Sequence, residues 1–160
     1  MKAYTDLEQS KKLAEILPIE SADMYYQYAL PKSDKIRYNP ILGNPIAALE
    51  WYNKGYTHFG NPPLTLNEYC IPCWSLAALM NLLPSEFTEK EEYSETTYQI
   101  DIRKYALTDD ADIYQIAYGN YKFYEDGNRS WKDMVNTGEK ENLIDAAFQM
   151  ICWLKENKKI

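Results

Sequence analysis

The residues with most chemical potential in this chain are its three cysteines and its single histidine. Cys70-Ile71-Pro72-Cys73 has the Cys-x-Pro-Cys form of thioredoxin-like redox sites and runs straight into an apolar stretch that ends at Pro84. A pair placed at a helix N-terminus has its thiolate stabilised and its pKa lowered. Against that reading, no proline follows Pro84 to serve as the cis-proline of such a fold, and no βαβ unit is evident. Glu68 would also oppose a thiolate. Two small apolar side chains suit the start of a buried helix equally well, so packed thiols are the favoured account.

His58 stands in a loop rich in proline and asparagine. It becomes a general base for Ser75 or Cys73 only if the fold brings them together, and a loop histidine ordinarily lies at the surface. Cys70, Cys73 and His58 are therefore the candidate catalytic residues. With Cys152 they also make a conceivable zinc set, but only one Cys-x-x-Cys pair exists and the other two ligands are scattered. Asp109, Asp110 and Asp112 lack the glycine and the distant glutamate of a calcium loop. There is no glycine-rich phosphate loop, nucleophile elbow or metalloprotease motif. No metal and no cofactor is expected.

Aromatic residues offer a different chemistry. The chain has 15 tyrosines and only 6 glycines, and tyrosine combines a large apolar ring with a polar tip. Tyr25, Tyr26 and Tyr28, with Trp51, Tyr52 and Tyr56, are candidates for an aromatic binding groove. Half-covered sheet faces use tyrosine too, which is the plainer explanation. The net charge of −7, from 24 acidic and 17 basic residues, argues against a nucleic-acid backbone as partner. It leaves room for docking on a basic protein surface. No run approaches the ~20 apolar residues of a membrane span, and the opening residues show no secretory leader, so no membrane is expected. Three cysteines without an export signal imply reduced thiols in the cytoplasm.

The elements that must position these residues follow from periodicity. Thr5 and Glu8 form a capping-box pattern ahead of an amphipathic helix over residues 6–17, which Pro18 stops. Met24 to Tyr28 and Lys35 to Asn39 read as a hairpin turning at Pro31 to Asp34. Asn44-Pro45 opens a short helix that Gly55 closes, and residues 56–69 read as an ordered loop. Cys70 to Pro84 reads as a helix apolar on nearly every side, hence buried. The glutamate-rich residues 85–95 read as a solvated linker. Alternation then places strands near 97–105, 112–118 and 121–125, with Asp109-Asp110 as one turn and Gly119-Asn120 as a two-residue hairpin loop. Ser130 and Asp133 would cap a short turn carrying Trp131, and residues 139–157 form a terminal amphipathic helix matched to its dipole.

The chain also resembles a known family. The residues Asp6-Leu7-Glu8-Gln9-Ser10-Lys11-Lys12-Leu13-Ala14-Glu15, Ser21-Ala22-Asp23-Met24, Ile71-Pro72-Cys73-Trp74-Ser75-Leu76-Ala77-Ala78-Leu79 and Ala146-Ala147 carry the likeness. It is to a family of small proteins encoded by gut Bacteroidales and their phage-like or mobile elements. That family has no assigned activity, so the resemblance implies a cytoplasmic or phage-associated setting and no site residue.

The expected class is α+β. An N-terminal hairpin and a three-stranded meander form an antiparallel sheet packed on helices around a buried central helix, in one domain spanning residues 1–160. The expected function is that of a small cytoplasmic interaction or accessory protein, non-enzymatic, binding a protein partner or itself. The alternative is a thiol-dependent redox enzyme using Cys70 and Cys73.

Overall fold

In a computed structural model, residues 2–29, 37–56, 70–108 and 111–160 are described. They form four helices and two antiparallel sheets, an α+β architecture. The chain gathers into two compact units, Lys2–Leu79 and Met80–Ile160.

The first unit begins with α1 (Leu7–Ile16) and a 3-10 turn at Ile19–Ser21. Its sheet has the order β2-β1-β3, from β1 (Met24–Ala29), β2 (Arg37–Leu42) and β3 (Cys70–Cys73). Helix α2 is Pro45–Tyr56, and α3, Leu76–Leu82, begins in this unit and runs past its boundary at Leu79. The cap of α1 is Asp6 rather than Thr5: its carboxylate accepts from the Gln9 amide, and Gln9 reaches back to the Asp6 amide. The reciprocal pair satisfies two donors that the first helical turn leaves free. Asn44 caps α2 as its sequence suggests, its side-chain oxygen accepting from Ile46 at 2.8 Å and Ala47 at 3.2 Å. The hairpin turn at 31–34 and most of the 56–69 loop fall outside the described residues.

The largest departure from the sequence reading is Cys70–Cys73, which is a strand and not the start of a helix. It pairs antiparallel with β1, Ile71 opposite Tyr26 and Cys73 opposite Met24. All four of its residues are buried. A short apolar run covered on both faces looks the same in sequence as a buried helix turn, which is why periodicity misassigns it. Pro72, which has no amide to donate, is tolerated because β3 is the sheet's edge. The helix that follows is only α3, with Ala78 and Leu79 buried and Ala77 and Asn81 exposed. Burial is concentrated in the strand and in Trp74, which is wholly inaccessible.

Thr5 joins this unit together. It is fully buried. Its hydroxyl lies 2.7 Å from the Ser10 hydroxyl and accepts from the Trp74 amide at 3.2 Å, while its carbonyl accepts from the Tyr26 hydroxyl at 2.7 Å. Its own amide donates to the Trp74 carbonyl at 3.0 Å. Asp23 works alongside, accepting from the amide and the hydroxyl of Ser75, whose oxygen in turn accepts from the Ala78 amide at the start of α3.

The second unit is a four-stranded meander in the order β4-β5-β6-β7, followed by α4 (Leu143–Glu156), which packs against β6. The strands are β4 (Glu86–Glu91), β5 (Ser94–Thr108), β6 (Ala111–Phe123) and β7 (Arg129–Asn136). The glutamate-rich stretch expected to be a linker is an edge strand whose charges lie outward and whose Phe87 lies inward. Charged side chains are a common protection for such an edge. On the covered face Phe87 packs on Tyr98, Tyr118 and Trp153 at ring-centroid distances of 5.5, 5.0 and 6.2 Å. Gly119-Asn120 is no hairpin loop, for β6 runs straight through it, and Tyr118 lies opposite Val135, not Tyr121. The hairpin turns instead at Tyr124 to Asn128, where Gly127 adopts a positive φ and the Asp126 side chain accepts from the Asn128 amide. The short capped turn expected at Trp131 is β7.

Because the buried Thr5 hydroxyl is bonded to the Ser10 hydroxyl and the Trp74 amide, Thr5→Val keeps its shape but strands both of them. The expected cost is about 1–3 kcal/mol, read as a lower urea midpoint.

Candidate functional site

Side chains alternate across a strand, so Cys70 and Cys73, three apart on β3, project from opposite faces. Cys73 packs with Ile71 and Tyr26 and lies 3.6 Å from the Thr5 hydroxyl. Cys70 lies on the face shared with Tyr25. Both thiols have zero exposure. Burial pushes Cys70 up to about 12; it raises Cys73 too, although the Thr5 hydrogen bond acts in the opposite direction. Neither the helix terminus nor the shared orientation that a reactive pair requires is present. Cys152 is a buried thiol on α4. His58 lies outside the described residues. Among the described residues no three histidine, cysteine or acidic side chains converge to hold a metal ion. No helix among them is long and apolar enough to cross a bilayer.

Of the expected aromatic groove, Tyr25, Tyr26 and Trp51 have described side chains. Tyr25 and Tyr26 point to opposite sides of β1, and Tyr26 is buried with its hydroxyl on Thr5. Trp51 is 65% exposed on α2. The side chains of Tyr28, Tyr52 and Tyr56 lie outside the described residues.

The structure does assemble a site elsewhere, on the face of the β4–β7 sheet opposite Phe87. Register places Asp101 and Arg103 of β5, Gln115 and Gly119 of β6, and Asp133 of β7 on this one face. The Arg103 guanidinium forks onto both Asp133 oxygens, at 2.6 and 3.0 Å, and also donates to Asp101 at 2.6 Å and Gln115 at 3.0 Å. Asp133 receives two further bonds, from the Trp131 indole at 2.6 Å and the Asn136 amide at 3.1 Å. The Arg103 hydrogen bonds hold the Asp133 carboxyl below its ordinary range, and the same contacts raise Arg103.

An aromatic group continues from this network toward the hairpin tip. Tyr121 lies opposite Trp131 in register, their rings edge to face at 5.3 Å, and the Arg129 guanidinium sits 4.9 Å above the Tyr121 ring. Gly119 makes the arrangement possible. A Cβ there would fall 2.4 Å from the Lys132 carbonyl and 2.8 Å from the Trp131 indole. The glycine is therefore a seat for the indole and not a turn residue. The one-residue irregularity between Tyr118 and Gly119 re-aims β7 alongside it.

Sequence reasoning missed this site, since Trp131 and Asp133 were assigned to a turn and Gly119 to a loop. The signal available was the alternation of Arg129, Trp131 and Asp133 on one face, with an acid-base-aromatic composition. Comparisons of the chain with protein-family models, curated proteins and solved structures give no match.

Asp133 is ionised more readily when folded than when unfolded. Its contribution to stability is therefore present above the unfolded carboxylate pKa, near 4, and is lost as pH falls through the lower folded value. Asp133→Asn is expected to be less stable than the parent at pH 7, with the gap narrowing by pH 2–3. Urea midpoints across that range check it.

Proposed function

We propose that the chain is a non-enzymatic interaction module that engages a protein partner through the β6–β7 hairpin end of its four-stranded sheet. The carrying observation is the cluster there: Tyr121, Phe123 and Arg129 on one face, with Tyr124 beside them. Phe123 is 76% exposed and Tyr124 53%. The Tyr124 hydroxyl is fixed against Ser130 at 2.9 Å, and Arg129 against Tyr121. Aromatic side chains and arginine supply most of the binding energy at protein interfaces, and rings already held in place lose little entropy on binding. The complementary partner surface is an apolar socket that accepts Phe123. Scattered single apolar residues need no explanation, but a contiguous exposed aromatic patch does.

The setting belongs to the same proposal. Three free, buried cysteines suit a reducing cytoplasm, and the likeness to proteins of gut bacterial mobile elements adds a phage-associated context. The buried, opposed placement of Cys70 and Cys73 supports this reading over thiol chemistry.

Two measurements test it. A bait of the full chain should capture a partner from host lysate or self-associate in sedimentation. Phe123→Ser with Tyr124→Ser should lower that affinity at least tenfold without altering the melting temperature. A strict monomer without a partner ends the proposal, as does capture that the double substitution leaves intact. Separately, alkylation at pH 7 should find Cys70 roughly a thousandfold slower than a free cysteine, from its reduced thiolate fraction alone. Reaction of either β3 thiol at the rate of free cysteine would restore the redox alternative.

A further inference from the structure

Beside the hairpin end the same face sinks into an open depression of about 450 Å³ whose lining includes Gln99, Asp101, Arg103, Tyr121 and Trp131. Three properties define what it can hold. The first is charge. Arg103 is paired with Asp101 at 2.6 Å and with Asp133 at 2.6 Å, so no positive charge is left unpaired to hold an anion. An anion meets the Asp101 carboxylate, and a cation meets the guanidinium.

The second is unused hydrogen-bonding capacity. Arg103 occupies only one oxygen of Asp101. The Gln99 amide and the Tyr121 hydroxyl have no hydrogen bond among the described residues. A carboxylate oxygen, a carboxamide and a phenol offer both acceptors and donors. A wholly apolar ligand would leave those groups without water or partner, which is unfavourable.

The third is a fixed ring. Trp131 is tethered by its indole N–H to Asp133 at 2.6 Å, rests where a Cβ on Gly119 would stand, and meets the Tyr121 ring at an interplanar angle of 81°. It is organised before any ligand arrives.

We propose that this depression binds the ring of a neutral saccharide. One face of a pyranose presents axial C–H groups of slight positive charge, which complement the negative face of an indole. Its equatorial hydroxyls radiate in the ring plane, each able to donate and accept. Trp131 takes the C–H face, and Asp101, Gln99 and Tyr121 take the hydroxyls. Arg103 acts as a positioning residue, holding Asp101 and, through Asp133, the indole. The site goes beyond the partner-binding reading and rests on residues other than Phe123 and Tyr124, so each can fail alone. A single ring in so open a site is expected to bind in the millimolar range, with longer oligomers tighter.

The test is a proton–nitrogen NMR titration of the full chain with glucose, galactose, mannose, N-acetylglucosamine and their dimers. The Trp131 indole resonance is assigned with Trp131→Phe. At least one sugar should shift it saturably. Asp101→Ala should weaken binding about tenfold or more, while Phe123→Ser leaves it unchanged. Asp101→Asn, which keeps the shape, controls for folding and should retain a native spectrum with weakened binding. No saturable shift from any sugar at 100-fold a dissociation constant of about 1 mM, or about 0.1 M, overturns the proposal. So does an equal response to tetramethylammonium or inorganic phosphate, and so does binding indifferent to Asp101.

Discussion

The fork between Arg103 and Asp133 is the contact on which the candidate site depends. It ties β5 to β7 across the intervening β6, so three strands share one arrangement of charge. The side chains are 20% and 23% exposed, and ion pairs that water still reaches contribute little to stability on their own. The value of this one is geometric. A planar guanidinium meeting a planar carboxylate fixes both orientations at once, and the remaining lone pairs of Asp133 then aim the Trp131 indole. Lysine at position 103 would preserve the charge and lose that geometry.

The two units solve the same problem, burying polar groups without leaving them unpaired, by opposite means. In Lys2–Leu79 the polar atoms are interior: Thr5, Ser10 and the Tyr26 hydroxyl satisfy one another beneath α1. In Met80–Ile160 the interior is aromatic and aliphatic around Ile116, Tyr118 and Phe87, and the polar network is displaced to the opposite face of the sheet. The Tyr118 hydroxyl is the exception that keeps the rule, since it finds the Pro84 carbonyl at 2.6 Å. Interior networks specify a fold, while surface networks remain accessible to something else.

Much of the architecture was legible in the sequence. Leu7 to Ile16 and Leu143 to Glu156 carry the helical stripe, and Tyr98, Ile100 and Ile102 carry the strand alternation, although Ile102 at the end of that run is 42% exposed. Cys70–Cys73 was not legible, because covering both faces erases the alternation. Glu86–Glu91 was not, because an edge strand's outward charges resemble a linker's. The site was least legible of all. Gly119 suggests a turn to anyone who sees its neighbour Asn120 and cannot see the indole that occupies its missing side chain. The proper reading of that glycine needs Trp131, and the pairing that joins them is a tertiary fact.

Thr5 has a temporal consequence. Its amide and hydroxyl find their partners on Trp74, 69 positions further along the chain. At a ribosome adding about 5–20 residues per second, that interval is roughly 3–14 s. During it α1 can form on its own cap and meet Tyr26, 21 positions beyond Thr5, while the Trp74 side of Thr5 has nothing to lie against. The first helix to be made is thus among the later ones to be fully docked, and its apolar stripe is the surface that a nascent chain would need shielded.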